Sequence, residues 1–310
     1  MKKTWMILLV AVGLTSAARP ALAWDAFGHE VIARIAWEHM RPETRAKAVA
    51  LLEAAPPDAD LASLLPRDGR PLAERERELF ERAATWPDIV RDEAFPARHE
   101  KYHHSTWHYT NFYWELDQNG RPRDVDRLHP EDVNIVERLH ALERSAADPS
   151  RDTSLRAIDL AWLLHLGGDI HQPLHNSARV TASEPEGDRG GNLFLLKGDE
   201  TLHWYWDSVL SKTFRRHLFE SEEERVGRVA RAVQQHYPRS TFADRLEPGR
   251  YEEWSREGFA TSKSAVYKGV ERGKEPSRSY RTTAFEIAEP AVALAGYRLA
   301  ELLERVLGGA

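Results

Sequence analysis

The chain has 310 residues, no cysteine, 42% hydrophobic residues and a formal net charge of −6 at pH 7. No disulfide framework can stiffen it, so its rigidity has to come from packing or from bound metal. The acidic balance excludes a protein that grips a polyanion with a broad basic surface; chemistry on nucleic acid would need its own local positive charge.

Lys2 and Lys3, an apolar run over 5–14 and the small-residue end Ala21-Leu22-Ala23 read as a secretory signal over residues 1–23. The apolar run is about half the length of a membrane span. Cleavage after Ala23 leaves 287 residues starting at Trp24; it removes Lys2, Lys3 and Arg19 and no acid, so −6 becomes −9. That length suits one large domain over 24–310. The domain is expected to be exported to the periplasm or the medium, without stable membrane association. Nothing in the pattern sets an oligomeric state, and a monomer is the simplest expectation.

From there the chain reads as mainly α. Apolar residues at three- and four-residue spacing predict helices over 30–40, 43–54, 72–84, 131–146, 154–170, 201–214, 222–236, 251–270 and 282–307. Pro173 should stop the helix that ends near 170. Segments 106–115 and 192–197 read as extended, and 56–69 and 182–192 as turn-rich loops. No repeat or interdomain linker interrupts this single-domain, multi-helical pattern.

The chemistry-bearing residues are histidines and aspartates at helical spacing. His165 and Asp169 are i, i+4, and His203 and Asp207 repeat the spacing, so each pair projects from one helix face. His175 follows the Pro173 break, and His108 and Asp88 come from separate elements. One such pair alone reads as a core histidine with a neighbouring acid. Two pairs and a third histidine, all without thiolate, suit zinc in a hydrolytic site. Processing would also free the amine of Trp24. That amine and the Trp24 carbonyl could chelate a metal, with His29 completing the clamp and the buried ring holding the terminus still.

In order along the chain stand Trp24 with GH after it, ATWPDIVR, WHYTN, HLGGDIHQPLH, GDRGGN and LHWYWD. These motifs resemble the S1/P1 nuclease family, and the chain is similar to that family over roughly 24–210 by motif and over 24–310 by length. The resemblance implies an extracellular endonuclease of mainly α fold that carries three zinc ions and prefers single-stranded DNA and RNA. By that likeness Asp88, His108, His165 and Asp169 would hold one zinc. Trp24, His29 and the shared Asp169 would hold a second, and His175, His203 and Asp207 a third. Arg91 would face the scissile phosphate and Asn192 would help bind it. A water shared by the first two zincs, with its pKa near neutral, would attack phosphorus and leave 5′-phosphorylated products. Three zinc ions against three aspartates would give an acidic protein the local positive site that its composition lacks.

Other residues stay ambiguous. Asn111 stands where some relatives carry a base-contacting acid, so base preference does not transfer. Tyr109, Phe112 and Tyr113 could stack on unpaired bases or be core aromatics. His171 points to another helix face than Asp169 and reads as structural. His103 and His104 read as solvated, and His39, His99, His129, His140, His217 and His236 lack a partner that would make a site. Two other functions fit the same residues. One is a zinc-dependent phospholipase C, disfavoured by the lack of an obvious exposed apolar segment. The other is a non-catalytic exported zinc-binding protein.

Overall fold

The computed structural model describes residues 24–308, so the signal over 1–23 and its cleavage point lie outside the described residues. Helices dominate. In chain order they are α1 (Ala26–His39), α2 (Pro42–Glu53), α3 (Leu72–Ala83), α4 (Trp86–Ile89), α5 (Pro96–Tyr102), α6 (Ile135–Ala147) and α7 (Thr153–Asp169). There follow α8 (Leu202–Asp207), α9 (Val209–Thr213), α10 (Glu222–His236), α11 (Tyr251–Thr261) and α12 (Arg278–Leu307). None of the described helices is long and apolar enough to cross a membrane.

At the centre lies α7, buried from Asp159 to Asp169 and packed by α6, α2, α12 and α4. An all-round apolar helix is stable only inside a core. Asp152 caps its start by accepting from the Ser154 and Leu155 amides. At its end the chain turns through Ile170 into a 3-10 turn, Pro173–Asn176. Helix α1 packs on α12, α10, α3 and α7, and its Arg34 is buried. Arg34 binds Glu81 of α3 at 3.2 Å and Glu223 of α10 at 2.9 Å, tying three helices at one point. Removing Glu81, the buried partner that takes two of the Arg34 bonds, would leave that buried charge only the partly exposed Glu223.

A small sheet does positional work. Strand β1 (Phe112–Leu116) pairs antiparallel with β2 (Pro122–Asp124) and parallel with β3 (Ser177–Arg179). Pairing of Phe112 with Ser177, and the Thr110 amide donating to His175 O at 2.8 Å, splices the His108 segment onto the His175 segment.

The structure differs from the sequence-based expectation in several places, each with a local cause. Helix α6 starts at Ile135, not 131, because the Asn134 side chain caps it by accepting from the Val136 and Glu137 amides. Segment 106–115 is half 3-10 turn (Ser105–His108) and half strand, and 192–197 forms only one bridge, Leu195 to Thr201. The helix expected over 201–214 breaks at Ser208. The one expected over 251–270 ends in a π turn, Ser262–Val266. An exposed apolar segment does exist: Leu218 and Phe219 form a loop tip, 84% and 93% exposed.

Candidate metal centre

Every histidine and aspartate of the expected constellation arrives at one place beside the end of α7. Asp169 is fully buried and its two oxygens face different ways. Oδ1 lies 3.1 Å from His29 Nε2, and Oδ2 lies 3.1 Å from His108 Nδ1 and 3.2 Å from His165 Nε2. The i, i+4 spacing accounts for the last contact. Burial alone would raise the Asp169 pKa, but His165, His175 and the hydrogen bond from His108 hold it well below the usual carboxylate range. Asp88, on the short α4, stands 3.9 Å from His165 Nε2 and 2.9 Å from Arg91 Nη1.

The rings are aimed by the backbone. His165 Nδ1 bonds to Ala84 O at 2.7 Å, His175 Nδ1 to His108 O at 2.6 Å and His203 Nδ1 to Gly190 O at 2.7 Å. A carbonyl can only accept, so each Nδ1 carries the proton and each Nε2 presents a lone pair. His175 Nε2 and His203 Nε2 nevertheless face each other at 3.0 Å, with Asp207 oxygens 3.9 and 3.6 Å away. Burial disfavours the charged form of both rings, lowering the pKa of His175 and that of His203 to about 3. The buried atoms His29 Nε2, His108 Nε2, Asp169 Oδ1 and Asp207 Oδ2 have no hydrogen-bond partner. Opposed lone pairs and unpartnered buried acceptors are costly unless a cation lies among them. Nitrogen and carboxylate donors without sulfur fit zinc. Three groups have ligand atoms mutually within 4.8 Å: His29, His165, Asp169; Asp88, His108, His165; and His175, His203, Asp207.

Two glycines let these groups approach. A Cβ on Gly168 would stand 2.9 Å from His29 Nδ1, and one on Gly190 would stand 2.5 Å from Leu174 O. Gly190 also has a positive φ of 60°, which the carbonyl that holds His203 requires.

Trp24 is wholly buried, and its indole N–H donates to Gly168 O at 3.1 Å, next to Asp169. The Asp25 amide donates to Asp207 O at 3.1 Å. The start of the described chain is thus pinned to both metal-facing helices.

The clusters open into a cavity of about 510 Å³ whose lining includes His108, His175 and His203 together with Arg91, Tyr109, Asn111 and Asn192. Asn192 donates to Arg189 O at 2.9 Å, which orients its amide. Tyr113 lines the cavity, but Phe112 does not; it lies under Arg256, 3.7 Å from guanidinium to ring centre. His104 is not merely solvated, since it stacks on Trp107 at 3.9 Å, and His103 has a buried Nδ1. His171 faces away from the cluster, bonding Gly167 O and Arg298. Sequence reasoning missed Arg189 and Glu131, both of which line the cavity. Arg189 carried one signal, a position inside a glycine-rich turn, and its φ of 54° is a strained value for a side-chain-bearing residue.

Fold and site together define a helical protein with three histidine–aspartate clusters, each able to hold a metal ion, beside one cavity. The model of the S1/P1 nuclease family matches residues 24–308, and the chain belongs to that family and is a nuclease. Endonuclease 2 of Arabidopsis thaliana is 26% identical over 325 residues, spanning 98% of this chain and 97% of that protein. Endonuclease 4 of the same plant is 26% identical across 64% of this chain and 58% of its own.

Proposed function

We propose that the mature chain, starting at Trp24, is an exported endonuclease with three zinc ions. It would hydrolyse single-stranded DNA and RNA to 5′-phosphorylated products. The observation that carries this reading is the opposed Nε2 pair of His175 and His203, whose rings line the same cavity as Arg91. His175, His203 and Asp207 would hold one ion. Asp88, His108, His165 and Asp169 would hold another, and His29, Asp169 and the Trp24 amine and carbonyl a third. Zinc in such a site supplies Lewis acidity toward a phosphoryl oxygen and lowers the pKa of water toward neutral.

The protein's own groups do the rest. Arg91 is fixed by its bond to Asp88 and keeps further N–H groups for the non-bridging oxygens of a phosphodiester, where charge grows in the transition state. Asn192 spends one amide N–H on Arg189 O and keeps the other for the same phosphate. The Asp88 side chain keeps 13% exposure whereas Asp169 and Asp207 keep none, so it is the ligand carboxylate placed to take a proton from attacking water. Tyr109 and Tyr113 offer ring faces to an unstacked base, which a paired strand does not present.

Leu218 and Phe219 favour a second reading, a phospholipase C acting at a lipid surface. One preparation separates the two. Mature protein would be assayed for zinc by mass spectrometry and for chelator-sensitive release of 5′-nucleotides from single strands, duplex and RNA, with phosphatidylcholine in parallel. About three zinc ions with faster single-strand turnover supports the proposal. Turnover of phosphatidylcholine alone replaces it, and zinc without any turnover supports a binding protein instead.

A further inference from the structure

We propose that loop 215–220 docks the protein reversibly on anionic phospholipid, with Leu218 and Phe219 entering the bilayer interface and a cationic cavity beside them receiving lipid phosphates. The inference does not depend on which phosphodiester the metal centre cleaves. Leu218 and Phe219 are the most exposed large apolar side chains among the described residues. Single apolar residues scattered over a surface are ordinary, but two bulky neighbours at one tip are not. Bonds hold this tip out in solvent. Arg228 Nε and Nη2 donate to the Glu220 carboxylate at 2.6 and 2.9 Å, and Nη2 also donates to Arg215 O at 3.1 Å. The His217 amide donates to the same carboxylate at 2.8 Å. One guanidinium thus ties the two ends of the loop together. Phe219 has a φ of 65°, a costly value for a side-chain-bearing residue that the surrounding bonds sustain.

The charge beside the tip selects the occupant. Arg215 also lines a cavity of about 880 Å³ together with Lys212, Arg278 and Arg281, and the acids lining it are Glu200 and Glu275. Glu200 pairs with Lys212 and Glu275 lies 3.4 Å from Arg281, which leaves Arg215 and Arg278 as surplus positive charge in a chain of net charge −6. The acids that follow the tip are engaged. Glu222 binds Arg225 at 2.9 Å, Glu223 binds Arg34 at 2.9 Å and Arg77 at 2.5 Å, and Glu224 closes the capping box with Ser221. Apolar side chains at a tip with guanidinium groups at its base match a bilayer surface, where acyl chains lie beneath phosphates. Two side chains are far too small an area for a stable dimer of this chain, and Leu218 offers no ring on which a base could stack.

The test sediments zinc-loaded mature protein with vesicles of phosphatidylcholine alone and of equal parts phosphatidylcholine and phosphatidylglycerol. Binding to the mixed vesicles, weakened by salt, is expected. Leu218→Ser with Phe219→Ser should lower partitioning by about tenfold or more, the scale of withdrawing two apolar side chains from an interface. Arg215→Gln with Arg278→Gln should lower it by about tenfold on the mixed vesicles alone. All four side chains are exposed, so melting temperatures should stay at the wild-type value. No vesicle binding, or binding that survives loss of both apolar side chains, overturns the inference. Binding of oligothymidylate in place of vesicles, lost in the arginine variant, overturns it in favour of a nucleic-acid strand. Hydrolysis of phosphatidylcholine by the bound protein would replace the nuclease reading and leave the inference standing.

Discussion

His175 Nε2 and His203 Nε2 stand 3.0 Å apart with both Nδ1 protons committed to backbone carbonyls. The fold has positioned two lone pairs against each other before any ligand enters. Their repulsion is a cost that folding carries and that a cation removes. Metal that binds the native chain, and only weakly the unfolded one, stabilises it by mass action. Chelation should therefore lower the melting temperature by on the order of 10 °C, given about 3 kcal/mol of linkage in a domain of this size. Calorimetry with and without chelator, then with zinc restored, checks this; an unchanged melting temperature would show that the clusters hold no metal.

Asp169 is the residue whose two oxygens meet different histidines, Oδ1 facing His29 and Oδ2 facing His108 and His165. Asp169→Asn keeps its volume but replaces one oxygen by an amide that donates where a lone pair is required. Bound zinc should fall by at least one ion per chain and activity by about a hundredfold or more, comparable with the loss of one transition-state contact. A variant with wild-type metal content and rate would remove Asp169 from its bridging place.

Gly168 tests whether the crowding is functional. A methyl group 2.9 Å from His29 Nδ1 cannot be accommodated without moving the ring. Gly168→Ala also raises helix propensity by about 1 kcal/mol, so the surrounding helix does not oppose the change. We expect a folded protein, helical by circular dichroism, that has lost the ion nearest His29. Retention of all zinc would mean that His29 is not a ligand.

Much of this was legible from spacing. His165/Asp169 and His203/Asp207 are pairs within single helices, and a four-residue step suffices to put both side chains on one face. Helix α10 matches its expected bounds, 222–236, because Ser221 and Glu224 form a capping box before an apolar stripe. Glu131 was illegible for the opposite reason. It reads as the first residue of a helix, but Asn134 caps that helix three residues later and leaves Glu131 in a loop that reaches Asn111. The carbonyls of Ala84, His108 and Gly190 that aim the rings are likewise invisible to a pattern of side chains, because tertiary packing chooses them. Strand β3 has three residues, too few to show a period.

Acid should act on the metal-free protein in a definite direction. Burial lowers the pKa of His29 and His175 below the ordinary 6.5, of His108 to about 4 and of His171 and His203 to about 3; among these rings only His165 is raised, by Asp169 and Asp88 against its burial. Between those values and 6.5 the unfolded chain binds protons that the buried rings refuse, so stability rises with pH. The contribution is present above pH 6.5 and is lost as pH falls toward 4 and 3. His165 and the desolvated carboxyls of Asp25, Glu30, Glu81, Asp188 and Asp207, all raised, oppose this, whereas the lowered His103 and His104 and the carboxylates of Asp88 and Asp169, held low, add to it. Urea midpoints at pH 7, 6 and 5 should decline in that order, and a midpoint that rises with acid would contradict the neutral, buried rings.

Arg91 separates metal binding from catalysis. Its guanidinium bonds Asp88 at 2.9 Å and lines the cavity, yet it is no ligand itself. Arg91→Ala should keep the zinc content and lose about a hundredfold to a thousandfold in rate, the usual effect of removing one donor to developing charge. Arg91→Lys restores the charge but not the planar fork that can meet Asp88 and a phosphate together, so it should recover only part of the loss. If the loss lay in KM alone, Arg91 would bind ground state and transition state equally and would steer substrate without stabilising the reaction. If zinc were lost with the rate, Arg91 would act by holding Asp88 in place. A fall in kcat at full zinc content is the result that assigns it to the phosphoryl oxygens.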